Sequence, residues 1–112
     1  MVPHMHLLGR RIEVTKTNVL NRQSQDMILI DDWDFNWQGF FYYKEAVPLK
    51  IFDQLKLTCR FDNSAENPRN PSNPLKDVRW GEGTEDEMCL AVLGVTLDNP
   101  DLINVLPFRR KR

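Results

Sequence analysis

The sequence predicts an all-β domain, a jelly-roll-like antiparallel β-sandwich, on three observations. Short segments with two-residue apolar alternation recur along the chain. Clusters rich in Asn, Asp and Pro separate them. No stretch carries a convincing 3.6-residue apolar spacing. Many short strands with such turns between them fit two packed antiparallel sheets. A chain of 112 residues is one domain with one modest core.

Residues 4–8 and 10–15 read as one extended run with Gly9 as a bulge. Residues 18–26 are polar and turn-like, and 27–30 form an apolar run of strand length. Residues 31–39, DDWDFNWQG, mix acids with Trp33, Phe35 and Trp37, and the aromatic stretch 40–44 is strand-like. Pro48 and Phe52-Asp53-Gln54 mark a turn. In residues 55–61, Leu55, Leu57, Cys59 and Phe61 share one face, and Lys56, Thr58 and Arg60 share the other. Residues 62–77 form a long loop with Asn67-Pro68, Asn70-Pro71 and Asn73-Pro74. Proline at that density excludes helix and central strand, and the spacing suits a polyproline-like excursion. Residues 78–80 suggest a short strand. Residues 87–96 are the strongest strand, with Cys89, Ala91, Leu93 and Val95 on one face. The domain is expected over residues 3–97. Residues 98–112 form a tail ending in Arg109, Arg110, Lys111 and Arg112, most simply solvated.

Bulk properties exclude several classes. The formal net charge of −1 gives no field favouring nucleic acid or anionic lipid. No apolar stretch reaches the roughly 18–20 residues of a transmembrane helix. Met1 and Val2 run straight into Pro3 and His4, with no visible signal peptide. If His4 and His6 are functional on a strand, the chain begins inside a structural element, as an excised piece would.

His4-Met5-His6 holds the only two histidines in the chain. On a strand, residues two apart face the same way with Cα atoms about 6.5–7 Å apart, so two imidazoles can converge on one ion. Met88 opens a late strand after an acidic turn; with Cys89 on the apolar face, Met88 faces the other way. Imidazole plus thioether is a soft donor set suited to Cu(I). Zinc normally recruits Cys or carboxylate. Three protein ligands leave a position for water, oxygen or substrate. A rival set draws on Glu82, Glu85, Asp86 or Glu87 to complete a His/His/carboxylate site for zinc or non-haem iron. A solvated acidic turn is the simpler reading of these four. Cys59 and Cys89 do not form a CxxC and are too few for a four-sulfur zinc site. They are either two reduced core thiols or a disulfide closing a loop worth about 3–4 kcal/mol, which would imply an oxidising compartment. The aromatics Trp33, Trp37, Phe40, Phe41, Tyr42 and Tyr43 are either a ligand platform or core and edge packing, and packing is the favoured reading.

The order of these motifs, an HxH near the start, a Cys on a strand, then Asp86-Glu-Met-Cys89, resembles the C-terminal domain of the copper type II ascorbate-dependent monooxygenases. That family includes peptidylglycine α-hydroxylating monooxygenase and dopamine β-monooxygenase. Residues 4–9, 62–71 and 78–89 look closer still to bacterial multidomain members. The resemblance runs from His4 to about Val95. It implies a jelly-roll-like sandwich, one oxygen-activating copper held by His4, His6 and Met88, and a disulfide between Cys59 and Cys89. It further implies C–H hydroxylation with molecular oxygen, ascorbate as reductant, a small substrate, a preceding domain with a second copper, and a periplasmic or secreted parent. Two substrate-anchoring positions of the peptide-processing member fall on Val2 and Val92 and do not match. With no histidine left for a second copper, the expectations beside monooxygenation are a copper-binding or electron-transfer module, or a metal-free sandwich that binds through its aromatics.

Overall fold

The structure is a computed structural model and describes residues 1–99 and 101. The basic residues 109–112 lie outside them. The described residues form five strands and no helix: β1 (Val2–Met5), β2 (Gly9–Asn18), β3 (Ser24–Ile30), β4 (Asp53–Phe61) and β5 (Cys89–Val92). They make two antiparallel sheets, β1 with β5 and β3-β2-β4, in a small sandwich-like domain. No helix among the described residues is long and apolar enough to cross a membrane.

Strand β2 organises the larger sheet. Its sequence, GRRIEVTKTN, alternates so that Ile12 and Val14 are buried. Ile12 stands between Ile30 and Cys59, and Val14 between Ile28 and Leu57. The β2–β3 turn is capped by Asn18, whose Oδ1 accepts the N–H groups of Leu20 and Asn21. The Thr17 and Ser24 hydroxyls meet across the turn at 2.7 Å, so the ladder starts at Ser24, earlier than the polar composition of 18–26 suggests.

The core joins the sheets. Met5 from β1, Ile12 from β2 and Trp33 from the β3–β4 connection are buried together, with Ile30, Cys59, Phe61 and Cys89 packed around them. The Trp33 N–H donates to the Arg10 carbonyl at 2.9 Å. Arg10 sits where β2 slips one residue against β4, between Gly9 and Arg11, so the bulge frees that carbonyl. Gly9 is required by close approach: a Cβ there would lie 2.8 Å from Met5 Cβ and 2.9 Å from Trp33 Cδ1. A disulfide joins Cys59 of β4 to Cys89 of β5 and ties one sheet to the other.

Several elements differ from the sequence expectation. The first extended run breaks after Met5, where Gly9 N–H donates to the His6 carbonyl at 2.9 Å and the chain changes sheets. The strand expected over 87–96 is only Cys89–Val92. Its partner fixes its length: Val92 pairs with Val2, and the Met1 backbone is already paired with Phe41. Residues 40–44 are not a strand, because the Met1–Phe41 pair is not continued into a ladder. Residues 78–80 give only an isolated bridge, Trp80 to Glu87. The Asn-Pro loop is a series of side-chain-capped turns rather than a polyproline excursion: Asn67 Oδ1 accepts Arg69 N–H and Asn70 Oδ1 accepts Ser72 N–H. Arg69 fastens this loop to the Trp33 carbonyl and to Asp32 at 3.2 Å. Of the aromatics read as packing, Trp33 is buried, whereas Trp37, Phe40, Phe41, Tyr42 and Tyr43 are exposed. Tyr43 still donates from its hydroxyl to the Met27 carbonyl at 2.9 Å, and partial burial pushes its phenol pKa up.

The Cys59→Ala/Cys89→Ala double variant is expected to lose about 3–4 kcal/mol, the chain-entropy worth of this cross-link. Equilibrium urea unfolding measures the loss; one below about 1 kcal/mol would mean that packing alone holds the sheets together.

Candidate metal centre

The two histidines straddle the end of β1. Pro3 and Met5 face the core, so His4 and His6 face the other way. Their ring centroids are 5.0 Å apart and the rings nearly perpendicular, at 86°. His6 is buried and His4 partly exposed, so the pair has one open side. The Phe35 ring meets His6 edge-on at 6.2 Å.

Met88 directly precedes β5 and is half-buried. In β1–β5, His4 stands opposite Leu90 and Met5 opposite Cys89. The ladder ends there, with His6 directly following β1 and Met88 directly preceding β5. Facing residues of an antiparallel pair share a side, and successive residues alternate. Cys89 lies on the core side, where the disulfide holds it, and alternation extended one residue beyond β5 predicts Met88 on the other side.

The acidic turn before Met88 is anchored beside His6. His6 Nδ1 lies 3.1 Å from the Asp86 carbonyl. A carbonyl only accepts, so Nδ1 donates, and the neutral ring keeps its lone pair at Nε2. Leu7 N–H donates to the Thr84 carbonyl at 3.3 Å, and Asp86 N–H to the Gly83 carbonyl at 2.9 Å. The Asp86 carboxylate turns inward and accepts Gly83 N–H at 3.1 Å. Gly81 N–H donates to the Glu87 carbonyl at 3.2 Å and Glu87 N–H to Arg79 at 3.0 Å, closing the turn's base. Gly81 leaves no room for a Cβ, which would overlap the Asp86 carboxylate. Asp86 is thus tied into the turn through Gly83 N–H and its close approach to Gly81.

The rival carboxylate set is not assembled. Among the described residues, no group of three or more His, Cys, Asp or Glu is placed to hold a metal ion. A surface cleft lined by Lys16, Asn18, Gln23 and Asp53 lies at the far end of β2 and includes neither histidine. Sequence reading missed three neighbours of the imidazoles: Phe35, the Asp86 carbonyl, and Gln38, whose Oε1 lies 2.5 Å from His4 Nδ1. Gln38 is 34 positions from His4, and no local pattern announces the contact.

The described chain is all-β and holds two imidazoles 5.0 Å apart at the end of β1. The family model for the copper type II ascorbate-dependent monooxygenase C-terminal domain matches residues 1–94, and the chain belongs to that family. Human DBH-like monooxygenase protein 1 is 33% identical over 94 residues, and its mouse counterpart is 31% identical over 94 residues. Each match covers 80% of this chain and 13% of the relative's length. No solved structure matches significantly.

Gly81→Ala is expected to displace the Asp86 carboxylate and loosen the turn from β1. Hydrogen exchange should then speed up at the amides of Leu7 and Asp86 while the β2–β4 ladder keeps its protection. Unchanged exchange at both amides would show that the turn does not need the glycine.

Proposed function

We propose that this chain holds the oxygen-activating copper of a type II copper monooxygenase, with His4, His6 and Met88 as the three protein ligands. One observation supports the reading: the β1–β5 register keeps Met5 and Cys89 on the core face, and strand alternation from them predicts the HxH pair and Met88 on the other. The donor set fits the ion. Two imidazoles and a thioether favour Cu(I) and disfavour hard cations, and no carboxylate cluster competes among the described residues. Such a site, when loaded, supplies one-electron chemistry at copper and an open position for molecular oxygen.

The chain's own residues have distinct tasks. His6 is the fixed ligand, buried and held through Nδ1 by the Asp86 carbonyl. His4 lies nearer solvent, on the side from which a small substrate would approach. Met88 is a softer ligand whose position depends on the Cys59–Cys89 disulfide next to it. C–H hydroxylation belongs to the whole protein, with ascorbate as reductant and a preceding domain supplying electrons. The disulfide supports a periplasmic or secreted location, since such bonds persist in oxidising compartments.

A second reading is a copper-binding or electron-transfer module without hydroxylase activity. It is favoured by the histidine count, because these 112 residues contain only His4 and His6. Oxygen consumption coupled to a hydroxylated product separates the two readings.

Titration against a chromophoric Cu(I) chelator should give one copper per chain. His4→Ala and His6→Ala should each weaken Cu(I) binding by at least about tenfold, roughly 1.4 kcal/mol. Met88→Ala should weaken Cu(I) more than Cu(II), because the thioether is a soft ligand. Equal Cu(I) affinity in the wild type, Met88→Ala and His4→Ala would remove the proposal.

A further inference from the structure

We propose that Gln38 is a positioning residue for His4: it fixes the imidazole as the Nδ1–H tautomer, so that Nε2 presents its lone pair to the open face. The inference rests on the copper reading above for its purpose, but not for its geometry. His4 Nδ1 and Gln38 Oε1 are 2.5 Å apart. Taken alone, this contact does not fix a proton, because a side-chain amide can be turned over to offer nitrogen instead of oxygen.

The second contact of Gln38 removes that freedom. Gln38 Nε2 lies 2.7 Å from the Phe35 carbonyl. A backbone carbonyl has no proton to give, so the amide NH2 must face it. Gln38 Oε1 is then the atom that faces His4, and an amide oxygen only accepts. The proton between them therefore belongs to His4 Nδ1, and a neutral ring keeps its lone pair at Nε2. The Asp86 carbonyl imposes the same state on His6. Two chemically different acceptors, a side-chain amide from one segment and a backbone carbonyl from another, thus set both rings alike.

The segment that carries Gln38 is itself ordered. Asp34 Oδ1 accepts Asn36 N–H at 2.9 Å, and the Asp34 carbonyl accepts Trp37 N–H at 3.0 Å. This turn follows directly on buried Trp33 and places Phe35 against His6 and Gln38 against His4. Gln38 is exposed and outside the core, so its replacement does not threaten folding.

The test is nitrogen-15 NMR of the imidazoles in the copper-free full chain, paired with Cu(I) competition titration. With only two histidines, the spectrum assigns readily. The wild type should show both rings as Nδ1–H tautomers. Gln38→Leu should release His4 alone toward the Nε2–H form that free imidazole side chains prefer, and weaken Cu(I) about ten- to a hundredfold, as loss of an outer-shell partner does. Gln38→Glu keeps an acceptor for His4 Nδ1–H and should keep the His4 tautomer, although it gives up the donor to the Phe35 carbonyl. His4 found as Nε2–H in the wild type overturns the proposal. So does Gln38→Leu with an unchanged tautomer, or with a changed tautomer and unchanged Cu(I) affinity. A wild type with the expected tautomers that binds no copper overturns the copper reading and leaves the Gln38–His4 clamp standing.

Discussion

Met5 and Cys89 face each other across β1 and β5, and the candidate site depends on that pairing. Both side chains point into the core: Met5 packs with Ile12 and Trp33, and Cys89 is covalently joined to Cys59 on the other sheet. Because side chains alternate along a strand, a slip of one residue would turn Met5 outward and drive His4 and His6 toward the core. Burying an imidazole without a partner is costly, so that slip is disfavoured from both sides. The disulfide holds β5 in its register, and alternation from that register predicts Met88 on the histidine side. A cross-link on one face thus fixes the geometry of the other.

The same economy appears in the glycines and turns. Gly9 lets the chain leave β1 and enter β2 directly against Met5 and Trp33, and the bulge beside it frees the carbonyl that receives Trp33. Gly81 leaves room for the Asp86 carboxylate, and the turn thus formed presents a carbonyl to His6 and then Met88. Far from this centre the packing thins. Leu55 and Leu57 on β4 are exposed.

The fold class was legible because its signals are local. The alternation in residues 55–61 and 10–15 and the turn residues around them marked strands β4 and β2. Strand ends were less legible, because a partner sets them: β5 stops at Val92 where β1 runs out, and 40–44 stays coil with one paired residue. The Asn-Pro loop misled because its spacing matches a polyproline turn, while its asparagine side chains cap backbone N–H groups in place of solvent. The histidine pair and Met88 could be singled out from spacing and donor softness. Their supports could not: Gln38 and the Asp86 carbonyl reach the imidazoles across 34 and 80 residues of sequence.

We propose that two imidazoles and one thioether from this chain bind a single copper. X-ray absorption on the Cu(I)-loaded chain tests it most directly, since sulfur and nitrogen scatterers differ in distance and strength. Two imidazole nitrogens and one sulfur are expected, with the sulfur lost in Met88→Leu. A first shell of nitrogen and oxygen only, unchanged by that substitution, would contradict it.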